Sequence, residues 1–279
     1  MELATFLPMI GRWGLLVILL LGPSPGMAEP VSSYLSATTL NTRTASFNQA
    51  LLRTALAKFF QTTAFRTEST ISITATTAQV NVNLQSQTET LTVLPRNFHS
   101  RLELGNKNYE IISNGQQVWV LDLAKKEYAI LSFQQFQDSD DSFLIGLGTS
   151  FLLEMADSNI TDRGTNPQDW LSSVIDFFTV NYVQEGLTLS QSQVSQQGLT
   201  YSLYQYQLPQ ENLTLVLWID EQSQTLAKLQ ILGQEEGMAI NIEETIHRQQ
   251  VNPVIPRDAF QFRPPAQFTQ VEELPLDPF

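Results

Sequence analysis

One stretch constrains the fold of this chain more than any other: residues 138–178 carry helical periodicity inside what otherwise reads as continuous antiparallel sheet. Leu144, Leu147, Phe151 and Met155 fall at helical spacing, and Trp170, Leu171, Val174, Ile175 and Phe178 repeat the pattern. The spacing predicts two apolar-striped helices that interrupt the sheet. Asp138, Ser139, Asp140 and Asp141 are expected to cap the first and supply its early acids, while Asn166, Pro167 and Asp169 open the second. Such helices either plug a permanent core or form a lid over an apolar cavity.

The flanking sequence supplies the sheet. Phe47, Leu51, Ala55 and Phe59 predict an amphipathic helix, with Ser46 or Thr44 as its cap. Ile71, Ile73 and Ala75 alternate with Ser72 and Thr74, and Val80, Val82 and Leu84 alternate with Asn81 and Asn83. Leu91 and Val93 lead to Pro95-Arg96-Asn97, after which Phe98, Leu102 and Leu104 face away from His99, Arg101 and Glu103. Turns are expected at Asn114-Gly115 and at 124–126. After the helical stretch, strands are expected over 180–189, 199–208, 213–220, 226–232 and 238–246, for about ten or eleven in all. The Gln- and Ser-rich run at 191–197 suits an exposed sheet face or loop, and residues 255–260 suit a short turn or 3₁₀ segment.

The first 28 residues read as an export signal rather than as part of the fold. Arg12 precedes an apolar run over 13–21, Gly22 and Pro23 break it, and Gly26-Met27-Ala28 ends in small residues, so cleavage is expected after Ala28. Residues 29–44 read as a flexible lead-in, 45–268 as one β-rich domain, and 269–279 as an acidic tail that frays. The chain has no cysteine, which excludes disulfides and acylation at cysteine. With 28 acidic against 15 basic residues, its charge of -13 disfavours nucleic acid and anionic membrane surfaces.

No constellation of residues points to catalysis. The two histidines, His99 and His247, are expected on wet strand faces with no carboxylate at ligand spacing, which leaves no metal site or nucleophile dyad. Phe143 and Thr149 stand where a calcium loop beginning at Asp138 needs glycine and glutamate. Gly146-x-Gly148 lacks a third glycine and lies in the helical stretch, where it is expected to bend the lid. We therefore expect no catalytic residues, no metal and no cofactor.

Several segments together carry a resemblance: Leu94-Pro95-Arg96-Asn97-Phe98, Ile112 to Trp119, Leu217-Trp218-Ile219-Asp220 with Lys228, and Phe260-Gln261-Phe262-Arg263-Pro264-Pro265. In this order they resemble the periplasmic lipoprotein-carrier superfamily, the LolA/LolB-like proteins and their relatives. The resemblance implies an α+β, mainly antiparallel β fold: a curved, unclosed half-barrel with an N-terminal helix and a helical lid inserted mid-chain. It also implies a monomeric periplasmic carrier of lipid or lipoprotein acyl chains, or a sensor domain of the same fold that regulates a membrane partner.

Under this reading the cavity and lid residues are Leu144, Leu147, Phe151, Met155, Trp170, Val174, Phe178, Phe98, Leu102, Trp119, Leu217, Ile240 and Ile242. The family places a latch arginine directly before the motif proline. Here Leu94 stands there and the arginine follows as Arg96, so Arg96 serves as latch only if a bulge restores its register.

Overall fold

The computed structural model describes residues 43–44, 47–77, 81–139, 141–161, 164–180, 187–208, 212–235 and 238–276. The signal segment and its cleavage site, nearly all of the lead-in, Ser46, Val80 and Asp140 lie outside these residues.

The strands are β1 (Arg43–Thr44), β2 (Ala64–Thr76), β3 (Asn81–Val93), β4 (Asn97–Leu104), β5 (Lys107–Asn114), β6 (Gln117–Asp122) and β7 (Glu127–Ser132), followed by β8 (Thr188–Gln196), β9 (Leu199–Leu208), β10 (Leu213–Asp220), β11 (Thr225–Glu235), β12 (Met238–Val251) and β13 (Thr269–Gln270). They form an unclosed sheet in the order β1-β8-β9-β10-β11-β12-β2-β3-β4-β5-β6-β7-β13. Neighbours along this order are mostly consecutive in sequence, as short turns dictate. The fold is the expected mainly antiparallel α+β class, with an N-terminal helix α1 (Gln49–Phe59) and helices inserted between β7 and β8.

Two additions raise the expected strand count. Arg43 and Thr44 of the lead-in pair with Gln193 and Ser192, and Thr269 and Gln270 of the tail pair in parallel with Glu127 and Tyr128. The tail is also anchored further on, because Leu276 is buried. The polar run at 191–197 falls largely in β8, whose paired backbone needs no apolar side chains.

The chain divides into two compact units. The first draws its described residues from Met1–Phe60, Ser72–Asn83 and Ser172–Glu243. In it, α1 buries Leu51, Leu52, Ala55, Leu56 and Phe59. Its cap is Asn48, which accepts from Leu51 N–H, rather than Ser46 or Thr44; Phe47 precedes the helix and is 43% exposed. On β9, Leu203 joins Val194, Val216 and Trp218 in one buried cluster. Tyr204 and Tyr206 point the other way, toward the helices: Tyr204 Oη donates to the Asn48 carbonyl (2.7 Å) and Tyr206 Oη to the Phe178 carbonyl (2.6 Å).

The second unit comprises Gln61–Ile71, Leu84–Leu171 and Glu244–Phe279. The Asn114-Gly115 turn forms as expected, with Gly115 at φ +89° where a Cβ would be strained. Phe98, Leu102 and Leu104 are buried on one face of β4, with His99, Arg101 and Glu103 on the other.

The inserted segment is more broken than its periodicity predicts. It runs through α2 (Phe133–Gln137), a 3₁₀ turn (Ser142–Ile145), α3 (Leu147–Ala156), a π turn (Asp157–Thr161) and α4 (Pro167–Thr179). Asp138 closes α2 instead of opening a helix, and Asp141 starts the 3₁₀ turn without a side-chain cap. Gly146, at φ +113°, separates that turn from α3, so Leu144 and Leu147 belong to different elements. Asn166 accepts from Gln168 N–H (2.9 Å), which confirms the expected start of α4.

Candidate functional site

The candidate cavity and lid residues fall in both units. In the first unit Val174 and Phe178 of α4 are buried, as are Leu217, Ile240 and Ile242 on the strands. The Phe178 ring meets Tyr206 edge-on at 5.4 Å. Leu217 pairs in register with Tyr204, which places it on this helix-bearing face.

In the second unit Leu144, Leu147, Met155 and Trp170 are buried, and Phe151 is half-buried. Burial on α3 goes nearly all round, taking in Thr149, Ser150, Leu152, Leu153 and Ala156, which marks a covered helix rather than a surface one with a single stripe. Phe98 and Leu102 are buried on β4, with the Phe98 ring 5.3 Å from Phe136 of α2. Trp119 lies elsewhere. It pairs with Ile112, which pairs with His99, so alternation puts it on the face opposite Phe98 and Leu102, where its ring contacts Phe262 at 6.2 Å.

The sheet face shared by Phe98 is not uniformly apolar. On β3 the buried positions include Ser86, Thr88, Thr90 and Thr92, and Ser100 is buried beside them on β4. The Ser100 hydroxyl lies 3.0 Å from Thr88 Oγ1 and 2.8 Å from Thr90 Oγ1, and Thr90 Oγ1 donates to the Ile145 carbonyl of the insert at 2.7 Å. A band of hydroxyls, of which those of Thr88, Thr90 and Ser100 are bonded to one another, thus lies on this face beside Phe98 and Leu102. Leu91 is buried, but it belongs to the opposite face.

Two polar contacts fasten the insert to the β3–β4 turn and to β12. Arg96 Nε pairs with Asp157 Oδ1 at the end of α3, and its guanidinium lies 5.5 Å from the Phe133 ring centre. At the start of α3, Gly148 N–H donates to Glu244 Oε2 of β12 at 2.8 Å. Glu244 stands in for a cap that Gly146 has no side chain to provide, and a carboxylate there also complements the helix dipole. Burial pushes the Glu244 carboxyl above the usual carboxylate range, partly offset by the Gly148 N–H, the Ser69 hydroxyl and the Leu147 N–H. Sequence alone does not single out Glu244, although it shares strand parity with Ile240 and Ile242, a signal of a carboxylate on a buried face.

The histidines differ from the expectation in one respect. His247 is exposed and hydrogen-bonds Thr70, whereas His99 Nε2 lies 2.6 Å from Glu110 Oε1 across the β4–β5 pair. Among the described residues no group of three or more His, Cys, Asp or Glu side chains is placed to hold a metal ion. No described helix is long and apolar enough to cross a membrane.

Residues 171–273 match the family model described as "Predicted periplasmic protein (DUF2092)". No curated protein sequence matches the chain. Among solved structures the chain is similar to a LolA superfamily protein from Nitrosomonas europaea, at 11% identity over 78% of this chain and 99% of that one, with a TM-score of 0.29. It is also similar to LprF from Mycobacterium bovis (10% identity, 75% and 95% covered, TM-score 0.38) and to the MucA/MucB complex of Pseudomonas aeruginosa (10% identity, 82% and 66% covered, TM-score 0.35).

Proposed function

We propose that this chain is a periplasmic binding protein that holds acyl chains of lipids or lipoproteins beneath its inserted helices. The observation that carries the reading is the way the insert is held in the second unit. Its apolar helices are latched by Arg96–Asp157 and Glu244–Gly148, and the sheet beneath presents the Thr88–Thr90–Ser100 hydroxyls. Beside the Phe98–Phe136 contact, this face sets hydroxyls rather than apolar side chains against the insert, with Thr90 bonded to the Ile145 carbonyl. A hydroxyl band under an apolar cover lowers the cost of parting them, and an acyl chain supplies the missing apolar partner at about 0.8 kcal/mol per buried methylene.

Arg96 takes the latch role in this reading, although it follows Pro95 rather than preceding it, and opening exchanges the self-packed insert for a loaded one. Purification from a bacterial periplasm, followed by native mass spectrometry and lipid extraction, tests the proposal. An adduct whose mass matches an extracted acyl lipid supports it, and a folded protein that neither retains nor accepts one overturns it.

A further inference from the structure

The second unit also contains a charged cleft of about 440 Å³, a size typical of small-molecule sites, and no residue of the helical insert lines it. Strand register builds its floor on the face opposite Phe98. Glu89 pairs with Arg101 and Arg101 with Glu110 in one row, while Leu91, His99 and Ile112 form the next. The C-terminal segment supplies a wall. There Phe262 is fixed by Trp119 and, at 5.5 Å, by Tyr128, and Arg263 stands beside it.

Hydrogen-bond donors outnumber free acceptors in this cleft. Glu89 is taken by Arg66 Nη1 at 3.0 Å, and Glu110 by His99 at 2.6 Å. Arg101 reaches Glu110 only at 3.7 Å and is 71% exposed. Arg66 Nε is buried with no acceptor among the described residues, an arrangement that leaves a strong donor unsatisfied. Arg263 and Asp258 make no ion pair among the described residues, so the uncommitted capacity is several guanidinium donors against one carboxylate. Three arginines converge here in a chain with only 15 basic residues against 28 acidic ones. Guanidinium groups match carboxylate and phosphate geometry better than ammonium does. Leu91, Ile112 and Phe262 add apolar surface beside them.

We propose that this cleft binds a small amphipathic anion, a carboxylate or phosphate monoester, with its charged end on Arg66, Arg101 and Arg263 and its apolar body against Leu91, Ile112 and Phe262. The site is independent of the acyl-chain reading and survives its failure. The test is histidine-ring NMR on the full chain during titration with phenyl phosphate, benzoate, inorganic phosphate and phenol. His99 reports the cleft, and His247 serves as an internal reference for the fold.

The expected result is a saturable shift at His99 alone with phenyl phosphate or benzoate, weaker binding of inorganic phosphate, and no saturable response to phenol. The tighter of the first two probes identifies the anion as phosphate or carboxylate. Arg101→Gln and Arg263→Gln should each weaken binding about tenfold, the size of one lost charged contact. No saturable His99 shift, equal binding of phenol, equal binding of inorganic phosphate, or unchanged affinity in both arginine variants overturns the proposal.

Discussion

Replacing Glu244 with glutamine should change how stability depends on pH more than it changes the fold. The carboxyl is 1% exposed and accepts from Gly148 N–H at the uncapped start of α3. Because burial raises its folded value above the unfolded one, its contribution is full below the usual carboxylate range and is lost as pH rises through the raised value. Glutamine keeps the carbonyl acceptor and does not ionise. Urea melts from pH 4.5 to 8.5 should therefore show Glu244→Gln gaining on the wild type as pH rises, by about 1.4 kcal/mol per unit across the window between the two values. Glu244→Leu should show the same pH trend but stay about 1–3 kcal/mol below Glu244→Gln at every pH, because it orphans the buried Gly148 N–H. Parallel pH profiles for the wild type and Glu244→Gln, or a leucine variant as stable as the glutamine one, would refute the reasoning.

Other substitutions separate the latch from the core. Arg96→Ala removes a pair whose side chains are 33% and 10% exposed, so it should cost about 1.5–3 kcal/mol and raise amide exchange in α3, whereas Arg248→Ala at an exposed pair should cost at most about 1 kcal/mol in the same melts. Phe98→Ala, at a fully buried site, should cost about 3–5 kcal/mol by denaturant melting, and Phe151→Ala, half-buried in the insert, clearly less. His99 holds the Glu110 carboxyl below its usual range, so that pair stabilises the fold above the ordinary carboxylate range and the stability is lost as pH falls through the lowered value; acid melts of His99→Asn should lack this component.

Much of the fold is legible in sequence because sheet and helix periods are local. The alternation over 71–75 and 98–104, the Asn114-Gly115 turn and the Asn166-Pro167 helix start each depend on a few adjacent residues. The site was less legible. Thr88 and Thr90 are buried because their strand neighbours and the Ile145 carbonyl satisfy their hydroxyls, and such partners lie many residues away. The helix α3 likewise takes its cap from Glu244, 96 residues on, where local rules look only to the residues just before a helix. Trp119 misled for the opposite reason: a large aromatic suggests the core, yet its register places it against Phe262 on the other face.

The most direct test of the central claim is titration of a fluorescent fatty-acid analogue into the delipidated protein and its Arg96→Ala variant. The account predicts saturable binding to the wild type and tighter binding to the variant, because loosening the latch lowers the cost of opening. Absence of saturable binding to both proteins, with each still showing a cooperative melt, would contradict it.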